Sequence, residues 1–490
     1  MGKPTGFMEY GRTDAGHRTV EERIKDFAEF TEPQSRESLN TQAARCMDCG
    51  VPFCHAGFVV QGLSIGCPLS NLVPEINDLV YRGEIEKAYR RLTKTHPFPE
   101  FTARVCPALC EGSCTLGEHE PPVTIKEIER FVSDEIVASG ALRPRYPKVT
   151  TGKSIAVVGS GPSGLACADL LNQFGNRVTV FERADRAGGL LMYGIPNMKL
   201  EKQVVETRVE LMRDEGVRFQ TGTEIGNDYP VLALMRDFDA IVLCAGATQE
   251  RLLAAPGADH AGVVTAVPYL TASTKNLLDG TPMPAEMDAR DKDVIVVGGG
   301  DTGTDCIATA IRRGARSVAQ FEIMPKLPDE RAANNPWPLW PRVFKTDYGQ
   351  EEASKLFGKD PREFLTTVKE IKGDGHRVTS VVTVGVEWEE QGGRMVPAEL
   401  PDTERERPCG LLLTAMGFTG PERILIDQMN LQTDARGNVK ADEDGYRTSL
   451  PTVFAAGDMR RGPSLVIWAI HEGIRAAKAC DRYLRQKQNV

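Results

Sequence analysis

The clearest periodicity in the chain lies between residues 153 and 182, KSIAVVGSGPSGLACADLLNQFGNRVTVFE. An unbroken apolar run gives way to glycines, then to apolar positions three and four apart, then to a second apolar run. This predicts strand, tight turn, helix and strand, a βαβ unit. The same order recurs over residues 293–322, DVIVVGGGDTGTDCIATAIRRGARSVAQFE. Strand-like runs follow each unit, AIVLCAG (240–246) and GLLLTAMGF (410–418), and a last unit reads TVFAAGDMRRGPSLVIWAIHEGIRAAKACDRYL. Upstream the period is helical instead, in EIEKAYRRLTKTH (84–96) and VTIKEIERFVSDEIVAS (123–139). RPRYPKVTTGK, residues 143–153, reads as a basic, proline-containing linker between the two regimes. The fold class expected is therefore α/β: a helical N-terminal domain followed by two Rossmann-like dinucleotide-binding domains.

Composition narrows what such a chain can do. At 490 residues it is too long for one core, and its 41% hydrophobic content is that of a globular protein. The net charge of −9 argues against nucleic acid or an anionic membrane as partner. No apolar run approaches the ~20 residues of a membrane helix. The N-terminus, MGKPTGFMEYGRTDAG, has no signal-peptide pattern, so a cytoplasmic protein is expected. Reduced thiols are the rule there, and twelve cysteines become candidates for metal ligands rather than disulfides.

The glycines carry the first specific chemistry. Gly159, Gly161 and Gly164 form G-x-G-x-x-G directly after a strand. Such glycines permit the tight turn, the approach of backbone to a pyrophosphate and close helix–strand packing. Glu182 ends the following strand, placed to accept from a ribose hydroxyl. Gly298, Gly300 and Gly303 repeat the pattern, with Asp301 and Thr302 inside it and Glu322 at the next strand end. An acid there favours the free 2′-hydroxyl of NADH over the phosphate of NADPH. Arg312, Arg313, Arg316 and Lys326 lie close enough in sequence to hold that phosphate, so NADH or NADPH stays open, with a lean to NADH.

The cysteines are clustered. Cys46, Cys49, Cys54, Cys67, Cys106, Cys110 and Cys114 fall in one stretch, whereas Cys167, Cys244, Cys306, Cys409 and Cys480 are isolated in apolar patterns and read as core residues. A tetrahedral zinc site is one reading of the first group, with His55 as a spare ligand. The spacing C-x-x-C-x-x-x-x-C fits paired zinc knuckles poorly, and iron–sulfur clusters also take four closely spaced thiolates. Seven cysteines complete two all-cysteine sites of neither kind.

Two fingerprints in one chain, with a late Ala455–Asp458 A-A-G-D, resemble the two-dinucleotide flavoprotein reductases of glutathione-reductase type. That resemblance implies FAD on the first fold and NADH or NADPH on the second. It puts the flavin's ribityl chain at Gly457 and Asp458 and its ring near Leu465 and Val466; Gly189 and Leu190 of GGLLMYGIP are further cofactor-binding candidates. No C-x-x-x-x-C redox pair follows the first fingerprint, so the disulfide-reducing members are excluded. The cysteine segments CMDCGVPFCH, GCPLSNLVPE and FTARVCPALCEGSC, with NNPWPLWPRVF, AMGFTGPE and AAGDMRRGPSLVIWAI, resemble the glutamate synthase small-subunit family over nearly the whole chain. Its N-terminal domain is shared with dihydropyrimidine dehydrogenase. In detail NPWPLWPRVFKTDYG and the Glu322 strand look more like an NADH-dependent branch.

The resemblance implies two [4Fe–4S] clusters, one on Cys46, Cys49, Cys54 and Cys114, the other on Cys67, Cys106, Cys110 and Glu129. Glu129 aligns with an amide ligand of the dehydrogenase. It also implies domains at 1–148 (iron–sulfur), 149–270 with 419–490 (FAD) and 271–418 (NAD(P)H). The twelve residues HAGFVVQGLSIG between Cys54 and Cys67 are a length variation of no expected consequence for ligation. A nicotinamide gives two electrons as hydride and a cluster accepts one; a flavin does both, which orders the cofactors. GGLLMYGIP and the loop around Trp337–Trp340 are candidates for shaping the nicotinamide–flavin pocket, and equally for simple loop packing. No catalytic acid or base is expected. With neither an N-terminal cysteine nucleophile nor room for an FMN barrel, ammonia transfer to 2-oxoglutarate falls to a separate large subunit. The alternatives are a stand-alone NAD(P)H oxidoreductase feeding ferredoxin or another acceptor, and a zinc-stabilised scaffold with degenerate nucleotide folds.

Overall fold

The computed structural model describes residues 2–488. Its N-terminal region is helical, with Arg36–Ala44, Val73–Tyr81, Ile85–Leu92 and Pro99–Val105 packed around Ile125–Ala138. The last of these buries Ile125, Ile128, Val132 and Ile136, a stripe at three- and four-residue spacing that explains why it forms a helix at all. Ser35 caps the first, its hydroxyl accepting from Ser38 N at 3.2 Å. The twelve-residue insert after Cys54 is a hairpin, Phe58–Val60 paired antiparallel with Leu63–Ile65.

Both βαβ patterns fold as read. The first sheet is parallel throughout, in the order Val453–Ala455, Ala240–Leu243, Ser154–Val158, Arg177–Phe181, Arg218–Gln220. The second is parallel in the order Val263–Thr265, Leu411–Thr414, Asp293–Val297, Ser317–Glu322, Arg362–Phe364. Helices Pro162–Gln173 and Asp301–Arg312 each begin at the end of a central strand, so both glycine turns sit at the carboxyl edge of a sheet, where dinucleotides bind. The strand Val263–Thr265 lies in the second sheet, which therefore starts before the boundary at 271 expected from sequence; three residues running straight into the helix Ala266–Asp279 are too few to show a period. A four-stranded antiparallel sheet over Thr366–Pro408 is appended to the second unit.

One long-range feature locks these parts together, and one local feature shapes a loop of the first unit. The N-terminal arm crosses to the second unit, where the buried Arg23 pairs with Glu352 at 2.7 Å and Phe30 stacks on Tyr348 at 4.5 Å. Lys202, 1% exposed, donates to three carbonyls of the segment before it, Leu191 O at 3.0 Å, Ile195 O at 2.6 Å and Leu200 O at 3.0 Å. Three acceptors match the three donors of an ammonium, so this one side chain holds the GGLLMYGIP loop in shape. Lys202→Met strands those carbonyls. The expected cost is about 3 kcal/mol, read as an earlier urea midpoint for unfolding of the first unit.

Candidate functional site

A cavity of about 540 Å³ opens at the first glycine turn. Its wall takes Gly159, Gly161, Glu182, Gly189, Leu190, Asp458, Leu465 and Val466 from four separated segments. Glu182 is fixed at the turn: Oε2 accepts from Ser160 N at 3.1 Å and Ser160 Oγ at 2.5 Å, and Oε1 accepts from Ala184 N at 2.8 Å. Gly189 has φ +54°, and a Cβ there would stand 2.8 Å from Gly161 Cα, so the two loops touch only because residue 189 is a glycine. Asp458 accepts from Ser464 Oγ at 2.7 Å, while burial raises its carboxyl above the usual range. Gly164 and Gly457 support this wall from behind, against Gly159 and Ser163 respectively.

The second unit contributes Asp301 and Thr302 to the same cavity. Lys199, which no sequence pattern singles out, joins them there, its Nζ 3.3 Å from Asp305. Gly298, Gly300, Gly303 and Glu322 lie beyond this wall, at the second turn. A Cβ on Gly299 would meet Glu322 Oε2 at 1.9 Å, so the carboxylate lies against the turn itself. The four nearby cations are all engaged. Arg312 bridges Glu352, Arg313 donates to Ser273 and Asn276, Arg316 pairs with Asp293, and Lys326 stands 4.2 Å over the Phe344 ring.

The eight expected cluster ligands fall on two small cavities in the expected fours. Cys46, Cys49, Cys54 and Cys114 line one. Cys67, Cys106, Cys110 and Glu129 line the other, with Asn71 and Lys126. His55 belongs to neither wall. Among the described residues no three His, Cys, Asp or Glu side chains are arranged to hold a single metal ion. The groups ring a space instead, as ligands of a four-iron core must.

The charges fit such a core as well. Burial and neighbouring thiols push Cys54 far up, and burial and Glu129 do the same to Cys67 and Cys110. Burial raises Cys106 to about 11 and Glu129 to about 7, the latter opposed by the hydrogen bond from Asn71. Four acids around a dry space, with Lys126 the cation on that wall, can all ionise only when positive charge enters the middle. Iron held there would supply it, since a coordinating thiol is deprotonated outright.

The second cysteine cavity and the central cavity share their partition. Val105 and Pro107 face the central cavity while Cys106 and Ala108 face the cysteines; Val466 and Ile467 divide in the same way. The Trp/Pro loop does not border the central cavity. It lies across the first cysteine site: Trp337 Nε1 donates to Cys114 O at 3.3 Å, Ser113 Oγ donates to Pro338 O at 2.8 Å, and the Trp337 ring meets Phe53 edge-on at 4.9 Å. Its expected place beside the nicotinamide is thus corrected to a brace between the second unit and the helical domain. The isolated cysteines, Cys167, Cys244, Cys306, Cys409 and Cys480, are all buried, as their apolar settings require.

Comparison with known proteins agrees with this layout. Residues 23–141 match the family described as dihydropyrimidine dehydrogenase domain II, 4Fe-4S cluster, and residues 153–473 match pyridine nucleotide-disulphide oxidoreductase. The chain is 50% identical over 487 residues to the glutamate synthase [NADPH] small chain of Bacillus subtilis, covering 99% of each. It is 44% identical to the glutamate synthase [NADH] of Schizosaccharomyces pombe, covering 98% of this chain and 23% of that one. Among solved structures, FprA of Mycobacterium tuberculosis in complex with NADPH has a TM-score of 0.51 at 19% identity, covering 69% of this chain and 86% of that one, and shares the fold. Two dinucleotide folds behind a cysteine-ringed helical domain, matched end to end by a small chain, make this protein a member of the glutamate synthase small-chain family.

Proposed function

We propose that this chain is the electron-input subunit of glutamate synthase, oxidising NADH through FAD and passing electrons through two [4Fe–4S] clusters to a large subunit that makes glutamate from glutamine and 2-oxoglutarate. One observation carries the reading: the central cavity, which joins both glycine units, is separated from a cysteine-ringed cavity by single residues at positions 105–108 and 466–467. FAD, when bound, supplies the exchange between hydride and single electrons. The chain supplies placement. Gly159, Gly161, Glu182 and Asp458 would hold FAD at the first unit. Asp301, Thr302 and Lys199 would bring a nicotinamide against it from the second, with Leu190, Leu465 and Val466 keeping water out. Cys46, Cys49, Cys54 and Cys114 would hold one cluster, and Cys67, Cys106, Cys110 and Glu129 the other. NADH is favoured because Glu322 lies against the second turn while Arg312, Arg313 and Arg316 are tied to other partners. In the fission yeast relative the matching region is joined to the rest of one long chain, consistent with a large subunit bound here as a separate chain.

The test is to express the chain with a large subunit and assay glutamate from glutamine and 2-oxoglutarate. Activity is expected with NADH at kcat/KM about tenfold above NADPH, a difference of about 1.4 kcal/mol. A chain that binds no large subunit yet reduces ferredoxin would move the reading to a stand-alone oxidoreductase.

A further inference from the structure

Two asparagines are buried against the cysteine cavities, and they differ in one respect. Asn71, 1% exposed, is satisfied at both ends: Nδ2 donates to Glu129 Oε1 at 3.0 Å, and Oδ1 accepts from Thr95 Oγ1 at 2.9 Å. Asn77, also 1% exposed, stands on the helix Val73–Tyr81 and lines the first cavity with Cys46, Cys49, Cys54 and Cys114. Neither of its amide atoms has a hydrogen-bond partner among the described residues. A buried donor left unmade costs about 1–3 kcal/mol, and such groups ordinarily have partners. Apart from Thr115, whose hydroxyl is likewise unpartnered, the rest of the wall is apolar, so the thiols and whatever they hold are the chief acceptors within the cavity's reach. Asn77 stands beside Cys46 without a hydrogen bond of ordinary geometry to it. Cluster sulfurs and thiolates only accept, so of the two ends of the amide the NH₂ is the one they can serve.

We infer that Asn77 Nδ2–H donates to the sulfurs of the cluster held by Cys46, Cys49, Cys54 and Cys114 and raises its reduction potential. The inference rests on the reading that this cavity holds a [4Fe–4S] cluster. Reduction adds an electron whose density spreads onto sulfur, so an N–H donor stabilises the reduced cluster more than the oxidised one. Removing the donor disfavours reduction by about tenfold, or about 59 mV for one electron.

The experiment is an EPR-monitored redox titration of the full anaerobic chain, with iron and FAD counted per chain, for the parent, Asn77→Leu and Asn77→Asp. Leu removes the donor at similar volume, and Asp keeps the shape while exchanging the donor for an acceptor. Expected are unchanged iron and FAD, one cluster signal moved to lower potential in both variants, and the other signal unmoved. Both potentials unchanged with iron intact would overturn the inference. Loss of the cluster in both variants would also overturn it, leaving Asn77 a structural role. The cluster reading fails separately, if the parent chain binds no iron or if Cys49→Ser leaves both signals as they were.

Discussion

A chain carrying Gly164→Ala is expected to purify with less than about a tenth of the FAD of the parent chain, a loss exceeding about 1.4 kcal/mol. The added Cβ would stand 1.9 Å from Gly159 O and 2.9 Å from Gly159 C. Both are backbone atoms of the turn, and neither can swing aside as a side chain can. Relief requires the helix Pro162–Gln173 to move off the strand Ser154–Val158, and with it the N–H groups that face a pyrophosphate. Gly161→Ala provides the contrast. Nothing lies within 4 Å of its Cβ position and its φ is −65°, so the fold accepts a methyl group there. That methyl projects at the cavity wall instead, where the backbone must approach the ligand. Flavin absorbance per chain should fall in both variants, whereas the thermal midpoint should fall only in Gly164→Ala. Equal FAD content in Gly164→Ala and the parent would mean that the first unit is not the flavin site.

How much of this could be read from the chain alone depends on whether the signal is local. Strand, glycine turn and helix are consecutive in sequence, so both dinucleotide units were legible from periodicity and glycine spacing. The division of seven cysteines into two groups was not a matter of spacing. Cys114 closes a ring begun at Cys46, and Glu129 closes the other; resemblance to a known domain supplied both.

Long-range side-chain contacts left no trace. The Trp337 loop reaches Cys114 across more than two hundred residues, and nothing in NNPWPLWPRVF distinguishes a nicotinamide wall from a brace. Lys199 looks like any surface lysine until Asp305 and the central cavity are placed around it. Arg312 is the reverse case. Beside a fingerprint it reads as a phosphate ligand or a solvated helix residue, and it is neither, because Glu352 and the N-terminal arm bury it.

Glu129→Ala is expected to lower the iron content from about eight to about four atoms per chain, with one EPR signal lost and the other intact. The buried face of the helix Ile125–Ala138 turns Glu129 toward Cys67, Cys106 and Cys110. A buried glutamate with no cation paired to it is costly unless something in the fold uses it. Asn71 holds Oε1 at 3.0 Å and is itself held by Thr95, which leaves the other oxygen free of that contact on the cavity side. An alanine would remove the fourth ligand and open the space to water. Glu129→Gln is the informative partner. It keeps a ligand oxygen of the same reach, so iron should stay at about eight per chain. It removes a negative charge, so the affected cluster should become easier to reduce. Should Glu129→Ala retain all its iron and both signals, Glu129 would be a buried carboxylate that serves Asn71 alone, and the fourth ligand would have to come from elsewhere on that wall.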